Sequence, residues 1–219
     1  MSDFAVKKVA EANFPTRWGR FRIYGFEGGF EAAAGPPEKP NGKPGNGQSA
    51  EKEEGIALVM GDIHSTPPLV RIHSQCLTGD VFHSMRCDCR QQLELALSMI
   101  TGMGAGILLY EQQEGRGIGL MAKLQAYELQ DRGLDTVEAN VQLGYDNDYR
   151  EYRLPAGMLR QLGVHEVRLI SNNPDKVAAL EKAGIKVVER VSAEVEPYEH
   201  SENYLRTKKE KMGHLFNGW

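Results

Sequence analysis

The 219-residue sequence predicts an α/β fold, a layered α/β/α sheet with a small antiparallel β portion on its N-terminal side. Three observations lead there. Short apolar runs alternate near the N-terminus, the period lengthens to that of an amphipathic helix beyond residue 90, and the last third repeats a strand–helix–strand order. That order favours a largely parallel sheet, because each return to a parallel neighbour needs a crossover.

In chain order, no long apolar segment precedes Pro15, so neither a signal peptide nor an anchor is expected. Trp18 to Phe26 alternates well enough for a strand, and Gly55 to Ile63 and Leu69 to His73 are two more. Between them, Gly35 to Gly47 holds four Gly and four Pro in thirteen residues, followed by the charged run Glu51 to Glu54. Without an apolar period that stretch cannot offset its ordering entropy, so residues 32–54 are expected to form a flexible insertion. Leu93, Ala96, Leu97 and Ile100 fall at i, i+3, i+4 and i+7, a helix face that Gly102 is expected to close. Gly106 to Tyr110 is a buried strand, Glu111 to Gly119 a polar glycine-rich loop, and Leu120 to Arg132 a helix. Asp135 with Glu138 three residues on has the form of a helix start. Pro155 to Leu162, then Asp175 to Ala183, are helices; Val167 to Ile170 and Ile185 to Glu189 are strands.

Composition bounds the function. Length implies a single domain over 1–219 with enough chain for a proper core. Hydrophobic residues are 41%, charged 26% and aromatic 8%, close to ordinary globular values, and no run approaches the roughly 20 apolar residues of a membrane helix. Twenty-six basic against thirty acidic residues give a net charge of -4, which disfavours a non-specific nucleic-acid surface while allowing a local basic pocket. Cys76, Cys87 and Cys89 are the only cysteines, an odd number within fourteen residues. No disulfide framework follows, and a reducing cytoplasmic setting is expected.

Three clustered thiols fit a catalytic zinc, which keeps three protein ligands and leaves one position to water. They also fit a structural metal closed by His73 or His83, and ordinary buried thiols. Spacing leaves all three readings open.

The surrounding residues say more. Arg71-Ile-His-Ser-Gln-Cys76, Arg86-Cys-Asp-Cys89, Glu111-Gln-Gln-Glu-Gly-Arg-Gly-Ile-Gly-Leu120, Asp135-Thr-Val-Glu-Ala-Asn140 and Ser171-Asn-Asn-Pro-Asp-Lys176 resemble, in order, the motifs of GTP cyclohydrolase II, from about Val6 to Leu215. The resemblance implies a homodimeric enzyme that opens the guanine ring of GTP at C8, releasing formate and pyrophosphate at the first committed step of riboflavin synthesis. It implies one zinc per chain on Cys76, Cys87 and Cys89, and Mg2+ with the triphosphate. It puts GTP on Arg71, Ile72, His73, Ser74, Gln75, Gln92, Glu114, Gly115, Arg116, Thr136, Ser171 and Lys176. Catalysis falls to Tyr127 beside the ring, and to Arg150 as nucleophile on the α-phosphorus with Asp148 as proton acceptor. Arginine more often stabilises phosphoryl charge, so that alternative role stays open. Within the residues alone, Tyr127 also fits a helix core with Leu120 and Leu124, and Lys176 an exposed helix lysine. Gln75, Arg90, Val141 and Ser171 depart from the residues frequent in the family; Arg90 replaces a glycine and is expected to strain any turn that needs one. Two other readings remain: a related purine nucleotide cyclohydrolase that stops at a formylated intermediate, and a catalytically silent zinc and GTP binder.

Overall fold

The computed structural model describes residues 4–30, 52–146 and 148–216. Seven strands form one mixed sheet: β1 (Phe4–Thr16), β2 (Gly19–Phe30), β3 (Glu53–Met60), β4 (Leu69–Ser74), β5 (Gly106–Glu111), β6 (Glu166–Ile170) and β7 (Lys186–Val191), in the order β1-β2-β3-β5-β4-β6-β7. The first part is antiparallel, β1 to β2, β2 to β3 and β3 to β5, and it holds the longest strands. From β5 through β4 and β6 to β7 the sheet is parallel, as the strand–helix–strand order requires.

Helices cover both faces. Alternate residues of β3 and β5 separate by parity, Val59, Ala57, Ile107 and Leu109 going to one core with Leu154, Met158 and Leu159 of α5 (Arg153–Gln161) and Leu180 of α6 (Pro174–Lys182). Leu58 and Leu108 go to the other, against Ala96, Leu97 and Ile100 of α2 (Cys89–Met103). The predicted α/β/α layering is therefore present. The remaining helices are α1 (Leu77–Asp80), α3 (Leu120–Asp131), α4 (Thr136–Gln142) and α7 (Glu202–Met212).

Three expectations are corrected, and one open alternative, the exposed Lys176, is set aside. Helix α2 runs through Gly102 and ends at Gly104, whose φ of 71° supplies the left-handed cap. Most of the predicted insertion lies outside the described residues, and Glu53 and Glu54 already belong to β3, paired with Gly28 and Glu27. Arg90 sits in the first turn of α2, where no glycine geometry is needed; it donates to the Asp80 carbonyl at 2.7 Å and pairs with Glu94. Lys176 is buried, 5% exposed, instead of lying on an open helix face. By contrast, the Asp135 helix start is a complete capping box with Glu138.

Gly157 fixes the seat of α5 on β1, since a Cβ there would lie 2.3 Å from Val6 Cγ2. Gly157→Ala is expected to cost about 1–3 kcal/mol by overpacking, read as a lowered Tm, and Val6→Ala in the same chain should recover most of it.

Candidate active site

Strands β4, β5 and β6 run parallel, and β4 lies between the other two, so their carboxyl ends open on one crevice. Ligands of open α/β sheets bind at such a point. The segments leaving those ends are Gln75–Cys76, the Gln112–Gly119 loop and Ser171–Asn173. Among the described residues, no helix is long and apolar enough to cross a membrane.

Cys76 precedes α1, and Cys89 begins α2 with buried Asp88 before it, so two short helix starts bring the three sulfurs within 4.8 Å of one another. Cys76 Sγ and Cys87 Sγ are 3.7 Å apart. Gly79 makes room for them, because a Cβ there would lie 3.1 Å from both of these sulfurs. Hydrogen bonds from Cys87 and Cys89, with Lys123 Nζ 3.1 Å away, hold the Cys76 thiol well below its usual range. Cys87 is pushed up to about 12, chiefly by its bond to Cys76, and Cys89 also lies well above its ordinary value. The crowded sulfurs oppose one another's ionisation; a shared cation is what would make three thiolates favourable at once. Among the described residues no fourth ligand joins the cluster. His73 instead meets Asp80 Oδ1 at 3.1 Å, and His83 is exposed.

Beside the sulfurs lies a cavity. Gln75, Glu114, Gly115, Arg116, Thr136 and Tyr127 line it. Tyr127 is not core: Leu124 on its expected stripe is 43% exposed, whereas Ala122 and Ala126 are buried. Its hydroxyl lies 3.2 Å from Thr78 Oγ1, and burial raises its pKa, so the phenol stays protonated at neutral pH. Glu114 accepts from Leu77 N at 2.7 Å, Gly115 N at 3.1 Å and Lys123 Nζ at 2.7 Å. Arg116 adopts φ 62°, an uncommon conformation for a side-chain-bearing residue, while donating to Thr136 Oγ1 at 3.0 Å.

A second cavity adjoins the first, sharing Ser74, Cys89, Arg116, Arg150 and Tyr204 with it. Its lining carries Arg71, Arg116, Arg150, Lys176 and Lys208 and no carboxylate. Arg71 donates to the Ile170 carbonyl at 3.0 Å and to Gln92 Oε1 at 2.5 Å; Lys176 donates to the Ile72 carbonyl at 2.8 Å. Burial, then the charges of Arg71 and Arg150, push Lys176 well below its usual pKa. Arg71 Nε, Arg116 Nη1 and Asn172 Nδ2 are buried without a hydrogen-bond partner, three donors on this lining that an acceptor-rich ligand would satisfy. Asp148 grips Arg150 through two parallel bonds, Nε to Oδ1 at 2.9 Å and Nη2 to Oδ2 at 2.5 Å. Burial opposes charge on both, yet the pairing leaves Arg150 above and Asp148 below their ordinary pKa values.

The crevice therefore gathers the expected residues with two exceptions. Ile72 is fully buried and offers only its backbone, and Asp148 lies behind Arg150, outside both linings. Ser171 is present, its hydroxyl accepting from Asn173 N. Sequence reasoning missed Lys123, Thr78, Asp88, Tyr204 and Lys208. For Lys123 a signal existed, since it precedes Tyr127 by four residues and must share its helix face. Asp88 and Lys208 meet across 120 residues, which no local pattern reveals.

A sequence model of the family described as GTP cyclohydrolase II matches residues 7–192. A GTP cyclohydrolase-2 of Enterobacter sp. (strain 638) is 53% identical over 213 residues, covering 97% of this chain and 98% of that protein. One from Escherichia coli (strain K12 / DH10B) is 52% identical over the same length. A two-domain 3,4-dihydroxy-2-butanone 4-phosphate synthase from A. baumannii, of known structure, has 19% identity and a TM-score of 0.43 over 87% of this chain and 41% of its own, too slight a likeness to bear on function.

Two histidines at this site make stability depend on pH. Burial, against the pull of Asp80, lowers His73; burial and the charge of Lys208 take His214 down to about 3. Between pH 6.5 and those lower values the unfolded chain binds the extra protons, so their contribution is present above about pH 6.5 and is lost as pH falls, by up to about 1.4 kcal/mol per unit for each group. The urea midpoint should drop between pH 6.5 and 4.5, and drop less steeply in His214→Gln; a flat midpoint in the parent chain would contradict the assignment.

Proposed function

The chain belongs to the GTP cyclohydrolase II family, and from that premise we propose that it hydrolyses GTP in riboflavin biosynthesis, opening the imidazole ring at C8 and releasing formate and pyrophosphate. The product is 2,5-diamino-6-(ribosylamino)pyrimidin-4-one 5'-phosphate. One observation carries the reading: a crevice with three convergent thiols at one end and five basic side chains without a carboxylate at the other. Guanine beside the sulfurs and a triphosphate among the cations match that polarity.

The cysteines suit zinc. They are soft donors, Gly79 leaves space around their sulfurs, and together they need a cation to ionise. Bound there, zinc would supply Lewis acidity and lower the pKa of a water towards 7. The protein's own groups account for the rest. Tyr127, protonated and held by Thr78, is placed to give a proton to a ring nitrogen as the C8 bond opens. Glu114 is suited to guanine N1–H and N2–H, though Leu77, Gly115 and Lys123 already occupy it, so reading both requires at least one of them to let go. Gln75, Gly115 and Thr136 border the base, and Gln92 orients Arg71. Arg116 and Arg150 line both cavities, where the α-phosphate would lie, with Ser171 and Lys176 beyond.

Asp148 holds Arg150 as a guanidinium, which favours stabilisation of phosphoryl charge over nucleophilic attack by that arginine. Mg2+ on the triphosphate and a homodimer belong to the same reading. The long edge strand β1, with Val9 54% exposed, offers a second copy something to meet.

The purified chain should release formate and pyrophosphate from GTP in equal amounts; GTP binding without formate, or accumulation of a formylated product, would contradict the proposal. Cys87→Ser should lose zinc and formate release together. Tyr127→Ala should keep zinc while the rate falls roughly 100-fold or more, as for loss of a general acid. Mass spectrometry of acid-quenched enzyme should find no guanylyl adduct on Arg150, whereas Arg150→Lys should be nearly inactive; an adduct there would restore the nucleophilic role.

A further inference from the structure

Helix α7 lies beyond the segment that the family model matches, yet it is built into the crevice. Leu205 is 3% exposed, and Leu215 N, just past the helix, donates to the Asn172 carbonyl at 2.8 Å. Lys211 pairs with Asp135 and with Glu138, the capping box of α4. The helix is therefore held at both ends. Tyr204 lines both cavities, and Lys208 lines only the second.

Lys208 is buried, and Asp88 Oδ1 accepts one of its three N–H donors at 2.8 Å, while the ring of Tyr204 lies 4.4 Å from its nitrogen. Burying an ammonium is costly unless it is paired. Here the paired carboxylate lies outside the cavity lining, and the cation itself forms part of it. Asp88 Oδ2 in turn accepts from Gln92, whose oxygen accepts from Arg71, so the Lys208 cation and the Arg71 guanidinium are oriented by one buried chain of groups.

We propose that α7 is a wall of the nucleotide site and that Lys208 is a specificity-determining residue that engages the distal phosphates of a guanine nucleoside triphosphate. The proposal rests on the GTP reading above. Arg116 and Arg150, which line both cavities, meet the phosphate nearest the ribose; Lys208, Lys176 and Arg71, which line only the second, meet the two beyond it. Such a wall discriminates by charge: a triphosphate reaches Lys208 and a monophosphate does not.

The test compares KM for GTP with the inhibition constant of GMP in the full zinc-loaded chain and in Lys208→Gln, which keeps an amide donor for Asp88. Zinc content and thermal melting are measured on the same samples. Loss of one charged hydrogen bond should raise KM for GTP about tenfold, leave GMP inhibition within about twofold, and leave zinc unchanged; Lys208→Arg should restore most of the GTP affinity. Equal weakening of GTP and GMP would make α7 a structural brace and overturn the proposal, as would an unchanged KM. If Lys208→Gln does not fold, its combination with Asp88→Asn leaves no buried charge unpaired and gives the same readout. Should the parent chain release no formate, the cyclohydrolase reading fails on its own account, and equilibrium dialysis of GTP against GMP with the same variants still decides the role of the helix.

Discussion

A single buried carboxylate ties the working parts of this molecule together. Asp88, 1% exposed, stands between Cys87 and Cys89 at the start of α2 and is gripped by Gln92 and Lys208. Through Gln92 it reaches Arg71 on β4, and through Lys208 it reaches α7, so cysteine pair, central strand and C-terminal helix share one anchor. Removing one partner of such a buried pair leaves an uncompensated charge, a loss of about 3–5 kcal/mol.

The two ends of the crevice have opposite electrostatic needs. Three crowded thiols oppose one another's ionisation and need a cation to ionise together, and the cationic lining with its unpartnered donors needs an anion. Each deficit is costly in a low-dielectric interior and vanishes when the complementary ligand binds. A chain of net charge -4 can hold such a site because five of its 26 basic residues gather on one lining that carries no carboxylate.

Much of this was legible in the sequence where a local rule operates. The capping box at Asp135, the strand–helix–strand order of the last third, and the packing of three cysteines into fourteen residues all depend on neighbours in the chain. What escaped depends on partners far away. Strand β1 is an edge strand exposed along almost its whole length, so it needs no apolar alternation and shows none. Helix α7 has no local signal because two residues that dock it, Tyr204 and Lys208, meet Arg116 and Asp88, far away in the chain. The apolar stripe ending at Tyr127 suggested a core face, but α3 buries alanines and turns its tyrosine to the cavity. Lys176 looked like a surface lysine until β4 supplied the carbonyl that lets it be buried.

The proposed work of the three cysteines is to hold one catalytic cation at the guanine end of the crevice. It is tested most directly by titrating the metal-free chain with zinc while following formate release from GTP and the number of reactive thiols together. Formate release should rise in proportion to added zinc, all three thiols should be protected in step, and both should saturate at about one zinc per chain. Full activity in the metal-free chain, or zinc uptake that protects the thiols without changing the rate, would contradict it.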